Sequence, residues 1–179
     1  EYGALFHVDG VQAVGKIPVN MKNSTIDMLT LSGHKIHAPK GIGALYVRKG
    51  VRFRPLVIGG GQERGRRAGT ENVPGIIALG KAAELELQHL DESGKRQKTL
   101  RDRLENAIIE LISECEINGG RTQRLPNTTN IGFKYIEGEA ILLLLNQHGI
   151  CASSGSACSS GSLEPSHILR SMGVPYTTL

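Results

Sequence analysis

The stretch SGHKIHAPKGIGALYV, residues 32–47, constrains this chain more than any other. It follows an apolar run of β-forming character, residues 26–31, and sets Ser32, His34 and Lys35 where a strand would end. In an open parallel α/β sheet the ligand crevice lies beyond the carboxyl ends of the strands, so such a strand presents these groups to the crevice. A lysine at that point is placed to hold an aldehyde cofactor.

The same arrangement occurs once earlier. Residues 4–8 form a short apolar run that ends at Asp9, with Gly10 and Gln12 following. Two strand ends therefore offer a carboxylate and an amine. A lysine Schiff base, with an acid partnering the pyridinium nitrogen, is what a protein contributes to pyridoxal phosphate (PLP) chemistry. Spacing alone leaves a second reading open, in which Lys35 is a solvated lysine and Asp9 a capping aspartate.

HVDGVQAVGKIPV, LSGHKIHAPKGIGALYV, GGGQERGRRAGTENV and SSGSACSSGSLEPSHIL follow one another along the chain. They resemble successive segments of the NifS/IscS-type cysteine desulfurases, PLP enzymes of aminotransferase-like fold, and the resemblance runs over essentially the whole chain. It implies an α/β fold, with part of the large PLP-binding domain in residues 1–80 and most of a small α+β C-terminal domain in residues 81–179. Members of that family are longer. An upstream half supplies the phosphate pocket, and a downstream segment supplies an arginine for the substrate carboxylate. Glu1 is not an initiator methionine and both ends read as cut, so the 179-residue chain by itself is expected to turn over poorly.

Composition narrows the alternatives. No apolar run is long enough to span a bilayer and no signal-peptide pattern is visible, so a cytoplasmic protein without a membrane partner is the expectation. The net charge of +4 draws attention to Arg52, Arg54, Arg64, Arg66 and Arg67. Aromatic residues make up only 4% and no nucleic-acid motif accompanies the cluster, which favours a solvated basic face over DNA or RNA binding. Cys115, Cys151 and Cys158 are odd in number and form no CxxC pair. That argues against a disulfide framework or a metal site and leaves at least one free thiol.

Residues 10–14 read as a short helix, and residues 43–47 as a third strand of a sheet buried on both faces. The glycine-rich segment 57–70 can form an anion-binding concavity with Thr70 as a hydroxyl donor. It is neither a Walker loop nor a clean GxGxxG, and a surface loop is the competing reading. The resemblance implies that Thr70 reaches the partner subunit's cofactor phosphate, hence a homodimer with shared sites. Arg64, Arg66 and Arg67 stay unassigned between a substrate path and a protein-docking surface.

From Val73 the period becomes helical, to about Leu90, with an interruption expected over residues 91–94. A second helix follows, with Leu100, Leu104, Ile108 and Leu111 as its packed face and Arg101, Arg103, Glu105 and Glu110 as its charged outer face. The domain boundary is placed near Lys81. Cys115 continues the apolar face as a small buried hydrophobe. Residues 130–133 read as a strand, and residues 139–146 as a helix whose four leucines belong to the core, capped by Gly149.

Residues 150–152 look like a short strand, after which the chain becomes SSGSACSSGS, residues 153–162. Six serines and two glycines in ten residues predict a mobile loop, with Cys158 in its middle. A sulfur carrier must first meet a buried adduct and then an acceptor outside, so Cys158 is the best nucleophile candidate of the three cysteines. The competing readings are an incidental thiol, an oxidised pair with Cys151, and a metal site near His148 and His167.

By resemblance, Lys35 holds PLP and then acts as the base, Asp9 pairs with the pyridinium nitrogen, and Gln12 and His34 hydrogen-bond the ring oxygen or imine region. Ser32 and Gly33 help to hold the cofactor, Ser32 at its phosphate. Cys158, as thiolate, takes the sulfur of L-cysteine as a persulfide and leaves alanine. The sulfur then passes to an acceptor or iron–sulfur scaffold protein. Lys40 is the rival cofactor lysine, but it lies in a Pro-Lys-Gly turn and does not follow the histidine. Two other readings remain: a selenocysteine lyase or related PLP lyase of the same fold, and a non-catalytic binding module using the basic segment around Arg64.

Overall fold

The computed structural model describes residues 3–153 and 166–175. The chain divides into two compact units between Arg96 and Gln97.

The first unit is built on a three-stranded sheet in the order β1 (His7–Asp9), β2 (Met28–Ser32), β3 (Gly43–Val47). Strands β1 and β2 run parallel, with His7 opposite Met28, Val8 opposite Leu29 and Asp9 opposite Thr30. Strand β3 runs antiparallel to β2 and pairs Ser32 with Gly43. The sheet is therefore mixed rather than parallel throughout. A parallel crossover needs about a dozen residues or more, and the short 33–42 connection only lets the chain double back. The sheet is not buried on both faces either, since Gly43, Ala44 and Leu45 are exposed.

Residues 10–14 form successive turns instead of the expected helix, with the Ala13 and Val14 amides both donating to the Gly10 carbonyl. Gly15 follows at φ 78°, and a Cβ there would stand 2.6 Å from Ile36 Cγ2. The chain must pass too close to Ile36 at this point for any side chain. Residues 21–27 are fastened to the end of β3 by Arg48. Its guanidinium donates to the carbonyl oxygens of Met21, Ser24 and Ile26 at 3.2, 2.7 and 2.7 Å.

A short turn, α1 (Gln62–Gly65), precedes the long helix α2 (Val73–Leu111). Pro74 sits in the first turn of α2, where its missing N–H costs no helical hydrogen bond. The Asn72 side chain accepts from the Gly75 amide and closes the end. Buried Ile36, Ala38 and Ala82 form the core of this unit, with Val14, Ile42 and Leu79 packed around them.

Helix α2 passes unbroken through residues 91–94, where an interruption was expected. An isolated glycine costs a helix only about 1 kcal/mol relative to alanine, too little to stop a long cooperative element. The division between the units falls inside this helix.

In the second unit the distal part of α2 departs from the expected faces at several positions, although Arg103 and Glu110 are exposed as expected and Ile108 is partly buried. Arg101 and Glu105 are buried, Glu105 to 1% exposure, whereas Leu104 is 54% and Leu111 82% exposed. Residues of the 121–129 loop account for the burial of Arg101 and Glu105. Arg124 contacts Glu105 at 2.6 Å, Arg121 at 3.2 Å, and the Thr129 hydroxyl donates to it at 2.6 Å. Arg101 in turn donates to the Leu125 carbonyl at 2.9 Å. Hydrogen bonds from Lys98 and Arg101 hold the Asp102 carboxyl down at about 2.

Cys115 does not continue the helix. It opens β4 (Cys115–Ile117), which pairs antiparallel with β5 (Ile131–Phe133), and it is only partly buried. Helix α3 (Gly138–Gln147) ends as expected at Gly149, φ 74°. The Ile150 amide donates back to Leu145 and the Gly149 amide to Asn146, the two bonds of a Schellman motif. Leu143 and Leu144 are nevertheless exposed, which corrects their placement in the core. Residues 150–152 are not a strand, and a short helix, α4 (His167–Ser171), follows the undescribed segment. No helix among the described residues is long and apolar enough to cross a membrane.

Candidate active site

The parallel pairing of β1 and β2 sets two strand ends side by side. Asp9 closes β1 opposite Thr30, and the Gly10 amide donates to the Thr30 carbonyl at 2.9 Å. Two residues beyond Thr30, β2 ends at Ser32, and the chain turns into a single 3-10 turn, Gly33–Ile36, that carries His34 and Lys35. The carboxylate and the amine are thereby delivered from the carboxyl ends of adjacent strands, where ligands of such sheets bind.

Local bonds hold these groups. Asp9 Oδ1 accepts from the Val11 amide at 3.0 Å, which fixes the carboxylate at the strand end. Ser32 Oγ and His34 Nδ1 lie 2.7 Å apart. Gly33 is buried, and a Cβ on it would meet Ile42 Cγ2 at 2.8 Å and the Ile42 carbonyl at 2.9 Å. The Gly33 amide donates to that same carbonyl at 2.9 Å. Only glycine allows the turn to come so near the strand that follows.

Ser32 and His34 line a cavity of about 530 Å³ together with Lys40, Gly41, Ile42 and Gly43. Lys35 is exposed on the same 3-10 turn, between His34 and buried Ile36, but it does not line this cavity. Gln12 is exposed on the turn after Asp9. Thr70 is exposed beyond the glycine-rich segment and is not part of the cavity wall. The cavity-lining position of Lys40 was not foreseen from the sequence. The pairing of Gly43 with Ser32 brings the Pro-Lys-Gly turn over the end of β2, and that pairing depends on β3 running antiparallel.

The glycine-rich segment holds two non-glycine residues with positive φ, Glu63 at 51° and Arg64 at 60°. Arg67 donates to the Gly69 carbonyl at 2.7 Å and pairs with Glu63 at 3.4 Å, so the loop is braced internally. Cys151 is exposed and Cys115 partly buried, and both are free thiols. Cys158 and nearly all of its serine-rich loop lie outside the described residues. Among the described residues no group of three or more His, Cys, Asp or Glu side chains is arranged to hold a metal ion.

The mixed α/β sheet thus carries Asp9 and the Lys35 turn at neighbouring strand ends. The Aminotransferase class-V family matches residues 1–177. A cysteine desulfurase of Nostoc sp. is 78% identical over 179 residues, which is all of this chain and 45% of the relative. The cysteine desulfurase NifS of Azotobacter vinelandii is 61% identical over 175 residues, 98% of this chain and 44% of that protein. Among solved structures, a NifS-like protein from Rickettsia africae superposes with a TM-score of 0.86 at 37% identity, covering 99% of this chain and 46% of its own. The chain belongs to the class-V aminotransferase family, and it spans under half the length of these relatives.

Proposed function

We propose that this chain is part of a cysteine desulfurase that removes sulfur from L-cysteine, gives L-alanine, and carries the sulfur as a persulfide on Cys158 for transfer to an acceptor protein. The observation that carries the reading is the juxtaposition of Asp9 and the Ser32–Lys35 segment at the ends of parallel β1 and β2. The high identity to the cysteine desulfurases of Nostoc sp. and Azotobacter vinelandii supports the same reaction. Residues 1–80 would then belong to the large cofactor-binding domain and residues 81–179 to the small domain.

The donor set suits PLP: a fixed carboxylate, a primary amine, and a serine and histidine beside an open cavity. Lys35 would hold it, Asp9 would face the pyridine nitrogen, Gln12 and His34 the ring oxygen or imine region, Ser32 and Gly33 the phosphate side, and Thr70 the phosphate of a second subunit. When bound, PLP supplies an electron sink for the substrate's α-carbon. Lys35 moves the α-proton. His34, locked to Ser32, keeps a fixed orientation toward the reacting region. The Cys158 thiolate attacks the substrate sulfur, an S–S bond forms as the C–S bond breaks, and the carbon keeps the electron pair and takes a proton to give alanine. The nucleophile must be ionised, so turnover falls at pH below the Cys158 pKa.

The test is Cys158→Ala in the full-length protein carrying this sequence. Sulfide release from cysteine should drop by at least about 100-fold while the cofactor absorbance is retained, as expected for loss of a nucleophile alone. Undiminished release would assign the reaction to a lyase that stores no persulfide.

A further inference from the structure

Resting on the PLP reading above, we propose that Lys40 supplies the positive charge that anchors the cofactor's phosphate against the Ser32–His34 wall, a role separate from that of Lys35. Three observations converge on it. Lys40 lines the same cavity of about 530 Å³ as Ser32 and His34, whereas Lys35 does not. Among the described residues the Lys40 ammonium has no hydrogen bond or ion pair of its own. Its turn is also fixed relative to Ser32.

The fixing is backbone geometry. Ser32 pairs with Gly43, and the Gly33 amide donates to the Ile42 carbonyl at 2.9 Å. A Cβ on Gly43 would stand 2.6 Å from the Leu31 carbonyl, and Gly41 holds φ 88°, open to glycine and strained for other residues. The 39–43 turn therefore cannot drift from the strand end, and the Lys40 stem starts from a set position.

The Ser32–His34 bond leaves that pair few donors for an anionic ligand. If the Ser32 hydroxyl donates to Nδ1, only the Nε2 hydrogen of His34 is left for a ligand; if Nδ1 donates, only the Ser32 hydroxyl hydrogen is left. In either arrangement of the neutral ring the pair offers a single donor. A phosphate ester carries close to two negative charges, and an ammonium is a compact partner for them. A lysine, a serine and a histidine around one space also suit the three terminal oxygens of a phosphate better than the two coplanar oxygens of a carboxylate.

The experiment measures equilibrium binding of PLP and of pyridoxal, which lacks the phosphate, to the full-length protein and its Lys40→Met and Lys40→Arg variants, following cofactor absorbance. Lys40→Met should weaken PLP binding at least about tenfold and leave pyridoxal binding unchanged, which also shows that the site still folds, and Lys40→Arg should recover most of the loss. Equal weakening of both ligands, or of neither, overturns the proposal. So does unchanged PLP binding with a raised KM for cysteine, which would give Lys40 to the substrate carboxylate. Failure of the unsubstituted full-length protein to bind PLP would instead overturn the reading on which the proposal rests.

Discussion

Ser32 Oγ and His34 Nδ1 stand 2.7 Å apart across a two-residue step, at the point where β2 gives way to the turn that carries Lys35. That bond is possible because Gly33 lets the chain fold tightly against Ile42. Position 33 therefore controls both the histidine's orientation and the shape of the cavity.

Gly33→Ala should be costly for this reason. The added carbon meets a side chain at 2.8 Å and a carbonyl oxygen at 2.9 Å, and overpacking of this kind typically costs about 1–3 kcal/mol. Denaturant melts should show that loss, and cofactor binding should weaken with it. Gly61→Ala, where a Cβ meets nothing within 4 Å, is the matched control and should change neither.

Arg48 makes a second prediction. Its guanidinium gathers three carbonyls from the connection that leads into β2. Arg48→Ala leaves those acceptors without that donor, and at about 0.5–1.5 kcal/mol per bond the loss should be about 2–4 kcal/mol. Limited proteolysis should then cut within residues 20–26 faster than in the unsubstituted protein. An unchanged cleavage rate would mean that the connection is held by other contacts.

Glu105 predicts a pH dependence. Burial by itself raises its pKa, but hydrogen bonds from Thr129 and Arg124, with the charges of Arg124 and Arg121, outweigh burial and hold the carboxyl below its usual 4.5. The unfolded chain therefore takes up the proton first as pH falls. The stabilisation from this group is present above about pH 4.5 and lost as pH drops through the lowered folded value. Glu105→Gln should destabilise the second unit by about 3–5 kcal/mol at neutral pH by leaving the partly buried Arg124 without its carboxylate. The gap from the unsubstituted protein should narrow in acid, and a gap independent of pH would show that the charge is not what matters.

The same cluster marks a limit of sequence reading. The spacing of Leu100, Leu104, Ile108 and Leu111 correctly defines an apolar stripe on a helix, but periodicity does not say which stripe is covered. The long-range partners of Arg101 and Glu105 come from residues 121–129, which carry no periodic signal and are joined to the helix by ion pairs and hydrogen bonds. Strand β4 was missed for a related reason, since Cys115–Ile117 is too short to separate from the end of the helix. Strand β3, by contrast, has the bounds expected from its run of small and β-branched residues. The ends of β1 and β2 were legible to within a residue because a polar residue, Asp9 or Ser32, closes each apolar run.

For the site, the motif singled out the Ser32–Lys35 segment and Asp9, and the parallel register of β1 and β2 sets those two strand ends side by side. Lys40 was legible only as a second lysine. Its entry into the cavity wall depends on the reversal of β3, a long-range pairing that local residue patterns do not encode.

The most direct test of the PLP reading is borohydride reduction of the full-length protein carrying this sequence, followed by intact mass and peptide mapping. The account predicts one PLP-sized adduct per chain, on the peptide containing Lys35 and assigned to that residue and not to Lys40. No adduct, or an adduct on Lys40, would contradict it.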